Sequence, residues 1–557
     1  MEKYRKHIGM KLLAAGLAAA LVLSTAACAG NNGFPSGEFP GEKPGEMPGG
    51  EMPGGNPGEM PGGEAPDGSA PEQGGWMRPG QNGGKCPGQN GNERPGQNGW
   101  GPNGNQSNEK ESVEAPDLNE AGITIPESVT GAFTITTYDG TFTQDGNVWT
   151  ITSAGTYVLS GVLDDGQVRI EANGEDTVEL DLNNTAITCS FDSPILAESA
   201  DKLKIRAMDG TENLVNDTRP LRTDENDEGG AGAIYACCDL SLNGEGSLTV
   251  IGTYNNAVHT KDDLKIKEMT LSAAAPNNAL KGNDSVTVES GTLKLLSTGG
   301  DGIKTENDDV SEKGNQRGII TVEDGKIGIW AATDGFDASY DVLIKGGSID
   351  VTAGDDGIHA EKTLQIDGGT VTVADSREGL EGFDVNVNGG VIHVFATDDA
   401  VNASGSGGMS NDGLITVTGG ELYAEVTGRD VDGIDSNGSY KQTGGIVIVS
   451  NPYADASGNM SAVDVAGKVD VTGGTIIALG TVPGQGQKGG FGGFFGMGGM
   501  RGTSALPEGA VTFTGTLNAG VHSFCCGSVN ASFTLRSAVS GGWIWSEGIA
   551  SGNYTLN

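Results

Sequence analysis

The stretch TAGDDGIHAEKTLQIDGGTVTVADSREGLEGF, Thr352 to Phe383, contains a near-copy of itself: GDDGIHA at 354–360 is answered by SREGLEG at 376–382, 22 residues later. The signature is a polar or acidic doublet, then Gly or Ala, then one large apolar residue. It recurs as NNAVHT (255–260), NNALKG (277–282), GDGIKT (300–305), TDGFDA (333–338), DDGIHA (355–360), REGLEG (377–382), DDAVNA (398–403) and VDGIDS (431–436). The steps between starting positions are 22, 23, 33, 22, 22, 21 and 33, and the two long ones carry the insertions ENDDVSEKGNQR (306–317) and SGSGGMSND (404–412). A second marker keeps step with the first: Ser290-Gly291, Gly346-Gly347, Gly368-Gly369 and Gly389-Gly390 each precede a strand-like run.

A repeat of about 22 residues built only of strands and turns fits one coil of a parallel β-helix, in which each coil pairs its backbone with the coils on either side. The leucine-rich repeat has a similar period, but its leucine framework is missing. Stacked parallel strands are expected from about 250 to 480, with Ile303, Phe336, Ile358, Leu380, Val401 and Ile434 as one inward ladder. Upstream, runs such as TYVLSG and VELDL alternate and are broken by Asp, Asn and Gly, so the folded region is taken as 115–557 and all-β. The C-terminal strands, with Trp543 and Trp545, are expected to close the solenoid.

Stacking places equivalent residues of neighbouring coils about 4.7–4.9 Å apart. The position before each Gly or Ala reads Asn256, Asn278, Asp301, Asp334, Asp356, Glu378, Asp399, Asp432. Carboxylates at that spacing repel by roughly 3–4 kcal/mol per pair at an effective dielectric near 20, so a counter-charge is expected. Calcium holds oxygens at about 2.3–2.6 Å, and two ligands across it are therefore about one coil rise apart. The candidate ligand groups are Asp334 and Asp337 with Asp355 and Asp356, then Glu378 and Glu381 with Asp398 and Asp399, then Asp430, Asp432 and Asp435. Asp and Gly also make turns in any solenoid, but turns do not require doubled acids.

The termini of the sequence carry other signals. Lys3, Arg5 and Lys6 precede the apolar run Leu12 to Leu23, and small residues lead to Cys28, so 1–28 reads as a lipoprotein signal peptide with Cys28 as the lipidated residue. Residues 29–114 are rich in Gly, Pro and Asn and poor in aliphatics, and cannot bury enough apolar area to fold; they read as a disordered linker. The Gly-rich run within 483–503, with Phe491, Phe494 and Phe495, reads as a loop insertion. The expected location is the extracellular face of the cell membrane, with membrane contact only through the lipid anchor.

Charge narrows the partners. With 33 basic and 74 acidic residues the net charge is −41, which excludes nucleic acid as a partner through bulk charge. Five scattered histidines and no nucleophile motif give no catalytic triad. The vicinal pairs Cys237-Cys238 and Cys525-Cys526, with no histidine at ligand spacing, read as buried or locally paired cysteines rather than a zinc site.

The segment GTYVLSG…DGQVRIEA…DTVELDLNNTAIT, followed by coils of the GDDGIHA…IDGGTVTV type, resembles the clostridial carbohydrate-binding β-helix family over 120–557. That resemblance implies a right-handed parallel β-helix, calcium between coils, and binding of acidic plant-wall sugars such as polygalacturonate. The coils are also similar to those of calcium-dependent pectate lyases, in which an Asp of one coil joins an Asp-Asp and a further Asp of the next. Asp334, Asp355 and Asp356 match, but His359 stands where the last Asp is expected. A lyase needs a basic side chain to take the proton beside the uronate carboxylate. Lys304, Arg377 and Arg429 are the candidates, and neutralising excess acid is their simpler role. Carbohydrate binding is therefore the leading expectation, with a uronate lyase and a surface protein using structural calcium as alternatives; enzyme activity stays open. Replacing Cys28 with Ala is expected to abolish N-terminal acylation and release the protein from the membrane fraction, checked by mass spectrometry of the N-terminal peptide; an unchanged peptide and unchanged fractionation would reject the anchor.

Overall fold

The computed structural model describes residues 115–223, 230–404, 412–428, 431–455, 460–482, 506–550 and 552–557. Cys28, the linker 29–114, the insertion 483–503, Arg429 and Asp430 lie outside them. Among the described residues every regular element is a strand.

From Gly232 onward the chain repeats a three-strand unit: a short strand after the doublet, a second after a corner, and a third after the Gly-Gly turn. Each strand pairs in parallel with its equivalent in the next unit. In the first row Ile234, Val258, Leu280, Ile303, Phe336, Ile358, Leu380, Val401, Ile434 and Val463 are successive register partners. The second row runs through Leu264, Val286, Ile320, Val342, Leu364 and Val385, and the third through Leu271, Leu293, Ile327, Ile349, Val371 and Ile392. Side chains alternate across a strand, so one residue in two points inward, as in the strand Ser348–Ala353, where Ile349, Val351 and Ala353 are buried. The three inward rows meet in one continuous apolar core.

Glycine makes the corners possible at two places in each coil. Gly347, Gly369 and Gly390 stack in the left-handed region, with φ of +91°, +85° and +84°, and a Cβ on Gly369 would lie 2.7 Å from the carbonyl oxygen of Gly347. The doublet glycines face inward instead: a Cβ on Gly379 would lie 2.1 Å from Val394 Cγ1 and 2.3 Å from the Ala400 carbonyl. Where Ala400 replaces glycine, the register partner of Val394 is the smaller Ala424.

Parallel stacking begins earlier than the doublets alone imply, with Val148–Ile151 on Gln167–Glu171. The early coils lack the doublet because their corners carry other residues, and the signal used to set the start near 250 is absent there. Outside the third row, the segment from Leu118 to Val129 straps across an apolar stripe of Leu214, Ile251, Ala274 and Leu296. It is fixed by Thr249 to the Thr124 carbonyl (3.2 Å), Ser128 to Glu212 (2.6 Å) and Lys294 to the Gly122 carbonyl (2.6 Å). At the other end Val539–Ser546 pairs antiparallel with Val469–Leu479, and Trp543 enters the core. A small antiparallel sheet of Gly520–Cys526, Val529–Leu535 and Tyr554–Leu556 packs on Ile448, Ile477 and Leu479. Cys189, Cys238, Cys525 and Cys526 are free thiols and Cys237 is disulfide-bonded, so neither vicinal pair is joined to itself.

Phe336 is fully buried in the first ladder. Phe336→Ala is expected to cost about 3–5 kcal/mol, whereas Val310→Ala, at a site 57% exposed, should cost under about 0.5 kcal/mol. Chemical denaturation of both variants checks this, and equal losses would mean the ladder is not the core.

Candidate functional site

The corner before the first row of strands holds the stacked polar residues. Its spine is Asn256, Asn278, Asp301, Asp334, Asp356, and each side-chain oxygen accepts the backbone N–H of the next member, at 3.0, 3.0, 3.1 and 2.8 Å. The same bond links Asp399 to the N–H of Asp432 (2.7 Å) and Asp432 to the N–H of Ser461 (2.6 Å). A short Asn or Asp therefore satisfies a corner N–H that the strand ladder does not reach. Glu378, one methylene longer, breaks the spine: it stacks on Asp356 in register but accepts Asn402 Nδ2 at 2.8 Å.

The N-terminal end of the spine is neutral. Asn256 and Asn278 are amides, and His259, bonded to Asn283 at 2.9 Å, is pushed down to about 3 by burial and by Lys281. From Asp301 onward every spine member is an acid.

Two flanking rows alternate in sign. On one side Arg377 sits between Asp355 and Asp398, pairing with Asp355, with Asp398 at 3.2 Å and with Glu378 at 2.9 Å. On the other side Lys304, Asp337, His359, Glu381, Asn402 and Asp435 are successive register partners. Lys304 Nζ lies 2.7 Å from Asp301 and also pairs with Asp337, while His359 Nδ1 lies 3.3 Å from Asp337. The flanks thus carry their own cations, and the excess negative charge is concentrated in the buried spine.

That excess appears in the titration behaviour. Burial, and then Asp301 and Asp337, hold the Asp334 carboxyl well above the usual range. Burial, and then Asp334 and Glu378, do the same to Asp356, as do burial and Asp435 to Asp399. Burial, followed by Glu381, raises Glu378 to about 7, and burial, followed by Asp464 and Asp435 among the charges, raises Asp432 to about 7. Burial also pushes Asp337 up, but the hydrogen bond from His359 and the Lys304 ammonium outweigh it and hold Asp337 below the usual carboxylate range. Burial disfavours charge on His359, yet Asp337 and then Glu381 raise it to about 10.

Three clusters along this corner bring ligand atoms within 4.8 Å of one another: Asp334, Asp337 and His359; Asp334, Asp355 and Asp356; Asp356, Glu378 and Glu381. The grouping differs from the one read in the sequence. Asp337 turns to His359 rather than to Asp355 and Asp356, and Glu378 and Glu381 reach back to Asp356 rather than on to Asp398 and Asp399. The causes are the extra reach of glutamate and the Arg377 guanidinium, which occupies the space between Asp355 and Asp398. Asp432 and Asp435 are near enough for Asp435 to raise Asp432; Asp430 lies outside the described residues.

Two oxygens complete the picture. Asp356 Oδ1 and Asn402 Oδ1 are both buried without a hydrogen-bond partner, and Arg377 Nη2, at 3.7 Å from Asp356 Oδ1, is beyond hydrogen-bond reach. Orphaned buried oxygens cost about 1–3 kcal/mol each. Asp356 is the register partner of Glu378, and Asn402 Nδ2 donates to Glu378, so both orphaned oxygens belong to residues beside one carboxylate, an all-oxygen grouping of the kind that can hold a cation. Asn402 is not among the ligands read in the sequence; its signal there is an uncharged residue between Glu381 and Asp435 at the coil period. A further group, Asp239, Asp262 and Asp263, lies in the N-terminal coils; the doublet signature does not include it, and the run KDDL at 261–264 is its only trace in the sequence.

The sequence signature of the family described as "Carbohydrate-binding domain-containing protein" matches residues 145–425 and again 354–489. A protein of that description from Acetivibrio thermocellus is 36% identical over 117 residues, 21% of this chain. The match spans 41% of that relative's length. A solved structure described as the polysaccharide lyase-like protein from C. thermocellum, in a gadolinium derivative, is 33% identical, with a TM-score of 0.38 over 41% of this chain and 90% of that one.

The raised acids make stability depend on pH. Glu378 and Asp432 titrate higher in the folded state than when unfolded, so their contribution is full below about pH 4 and is lost as pH rises through about 7. His359 acts in the same direction, its contribution being lost between about pH 6.5 and about 10. His259, lowered by burial, acts in the opposite sense, and on balance metal-free protein is expected to be more stable at pH 5 than at pH 8, by on the order of 5 kcal/mol. Denaturant melts in chelator at the two pH values check this, and equal or higher stability at pH 8 would contradict the assignment.

Proposed function

Because the chain belongs to the carbohydrate-binding domain-containing protein family, we propose that it binds acidic polysaccharide, such as polygalacturonate, through calcium held along the acid spine. The observation that carries the proposal is the pair of orphaned oxygens, Asp356 Oδ1 and Asn402 Oδ1, flanking Glu378. Carboxylates and an amide carbonyl form a hard, all-oxygen donor set, which suits calcium better than a transition metal. Asp356, Glu378 and Glu381, with Asn402 beside them, would hold one ion; Asp334, Asp355 and Asp356 would hold another.

Electrostatics supports the same reading. A chain at −41 repels a polyanion beyond the range of direct contacts. Calcium neutralises the spine and supplies coordination positions to sugar carboxylates. The stack winds right-handed, as strand–crossover–parallel strand connections do in about 98% of cases, and the linker 29–114 tethers it to a lipid anchor at Cys28 on the outer face of the membrane. The cations facing the acids, Lys304 and Arg377, are engaged in ion pairs, which favours binding over proton abstraction.

Asp356→Asn separates a cation site from a purely architectural acid. The amide removes a buried charge and keeps the acceptor oxygen, so the metal-free variant should be more stable, while affinity for calcium and for polygalacturonate should fall at least about tenfold. Calorimetry with calcium, and polygalacturonate binding with calcium or with chelator, read the result. Binding that survives chelator would overturn the bridge, absence of polygalacturonate binding would overturn the ligand, and unsaturated sugar ends would replace binding by lyase activity.

A further inference from the structure

The first position of the doublet is broken once by a base. Where the neighbouring coils read DDGIHA, from Asp355, and DDAVNA, from Asp398, the coil between them reads REGLEG, from Arg377. Backbone bonds hold the three in one stack: the Arg377 N–H donates to the Asp355 carbonyl and the Asp398 N–H donates to the Arg377 carbonyl, both at 2.7 Å. The guanidinium also reaches the spine. Its Nε pairs with Asp355, Nη1 lies 3.2 Å from Asp398 and 2.9 Å from Glu378, and Nη2 lies 3.7 Å from the orphaned Asp356 Oδ1.

Three of these four acids are ones an ion would use. Asp355 and Asp356 belong to the group with Asp334, and Asp356 and Glu378 belong to the group with Glu381. Lys304 differs, because it holds Asp301 and Asp337, and neither belongs to those two groups. Exposure also separates the partners: the Arg377 side chain is 38% exposed and the Glu378 side chain 11%. The guanidinium is therefore the member of the pair with a path to water, and the carboxylate stays in the corner.

We propose that Arg377 is a built-in competitor of the bound cation: in metal-free protein it engages the carboxylates that the ion needs, and so it sets the calcium concentration at which the corner loads. The inference rests on the reading of the spine as a calcium site and specifies how that site is regulated. A dication coordinated by Asp356 and Glu378 repels a guanidinium that shares the same two acids, and the repulsion is strong where water is largely excluded. A guanidinium keeps its charge at any working pH, so displacement rather than deprotonation relieves the conflict. Arg377 gives up Glu378 and retains Asp398, which belongs to neither ion group.

Calcium calorimetry on the full chain, wild type against Arg377→Gln, reads the competition. Removing the positive charge should raise calcium affinity at least about tenfold, while the loss of ion pairs lowers the melting temperature in chelator. An arginine with a purely structural role would lower the melting temperature without raising the affinity. A second measurement does not depend on that variant folding: the Arg377 Nε–H resonance, assigned by its absence from the spectrum of Arg377→Lys, should move as the wild type is saturated with calcium. Wild-type calcium binding that is unchanged or weaker in Arg377→Gln, or that leaves the Nε–H resonance in place, would overturn the competition and leave the calcium site standing. Absence of calcium binding by the wild type would overturn the site itself, and the competition with it.

Discussion

A carboxylate stacked on a carboxylate, one strand spacing away and shielded from water, is the constraint on which the rest of this structure turns. Stacking coils in parallel repeats every corner residue at about 4.7–4.9 Å, so whatever chemistry the repeat places there is multiplied along the stack. With amides it is harmless: Asn278 donates its Nδ2 to Asn256 Oδ1 at 3.0 Å while its backbone N–H takes the same oxygen. With acids the backbone bond is kept, but each added coil adds repulsion of several kcal/mol at interior dielectric values. The chain responds in the flanking rows, where Lys304, His359 and Arg377 stand among Asp337, Glu381, Asp355 and Asp398. The spine receives less of this compensation, and the strain emerges there as raised carboxyls and orphaned oxygens.

Such a corner divides the solenoid into two functional lengths. Up to Asn278 the corner spine is joined by neutral hydrogen bonds beside a buried His259. From Asp301 to Asp435 the same backbone carries more acids than the internal cations Lys304, His359 and Arg377 pair with. Substituting Asn for Asp at equivalent corners leaves the backbone bond intact, so the acids are not required by the fold. Their cost without a counterion, set against a fold that amides would serve equally well, is the physical reason for proposing a bound cation there.

Much of the architecture was legible because it follows from spacing alone. Phe336, Ile358, Leu380, Val401 and Ile434 recur at the coil period and are buried in one row, and the paired glycines fall where the backbone must turn left-handed. The early coils were less legible, because Gly232 is not preceded by the acidic doublet. The partners within the acid corner were not legible either. Which acids meet depends on side-chain reach: Glu378 and Glu381 turn back to Asp356, and a single guanidinium at 377 separates Asp355 from Asp398.

Calcium titration by calorimetry near pH 7, in buffers of different ionisation enthalpy, measures ion uptake and proton release together. Glu378 and Asp432, both raised to about 7 chiefly by burial, hold part of a proton near that pH, and a cation entering the spine must displace it. The account predicts saturable calcium binding coupled to proton release, with the release diminished in Glu378→Gln. Absence of binding, or binding with no proton exchange, would contradict it.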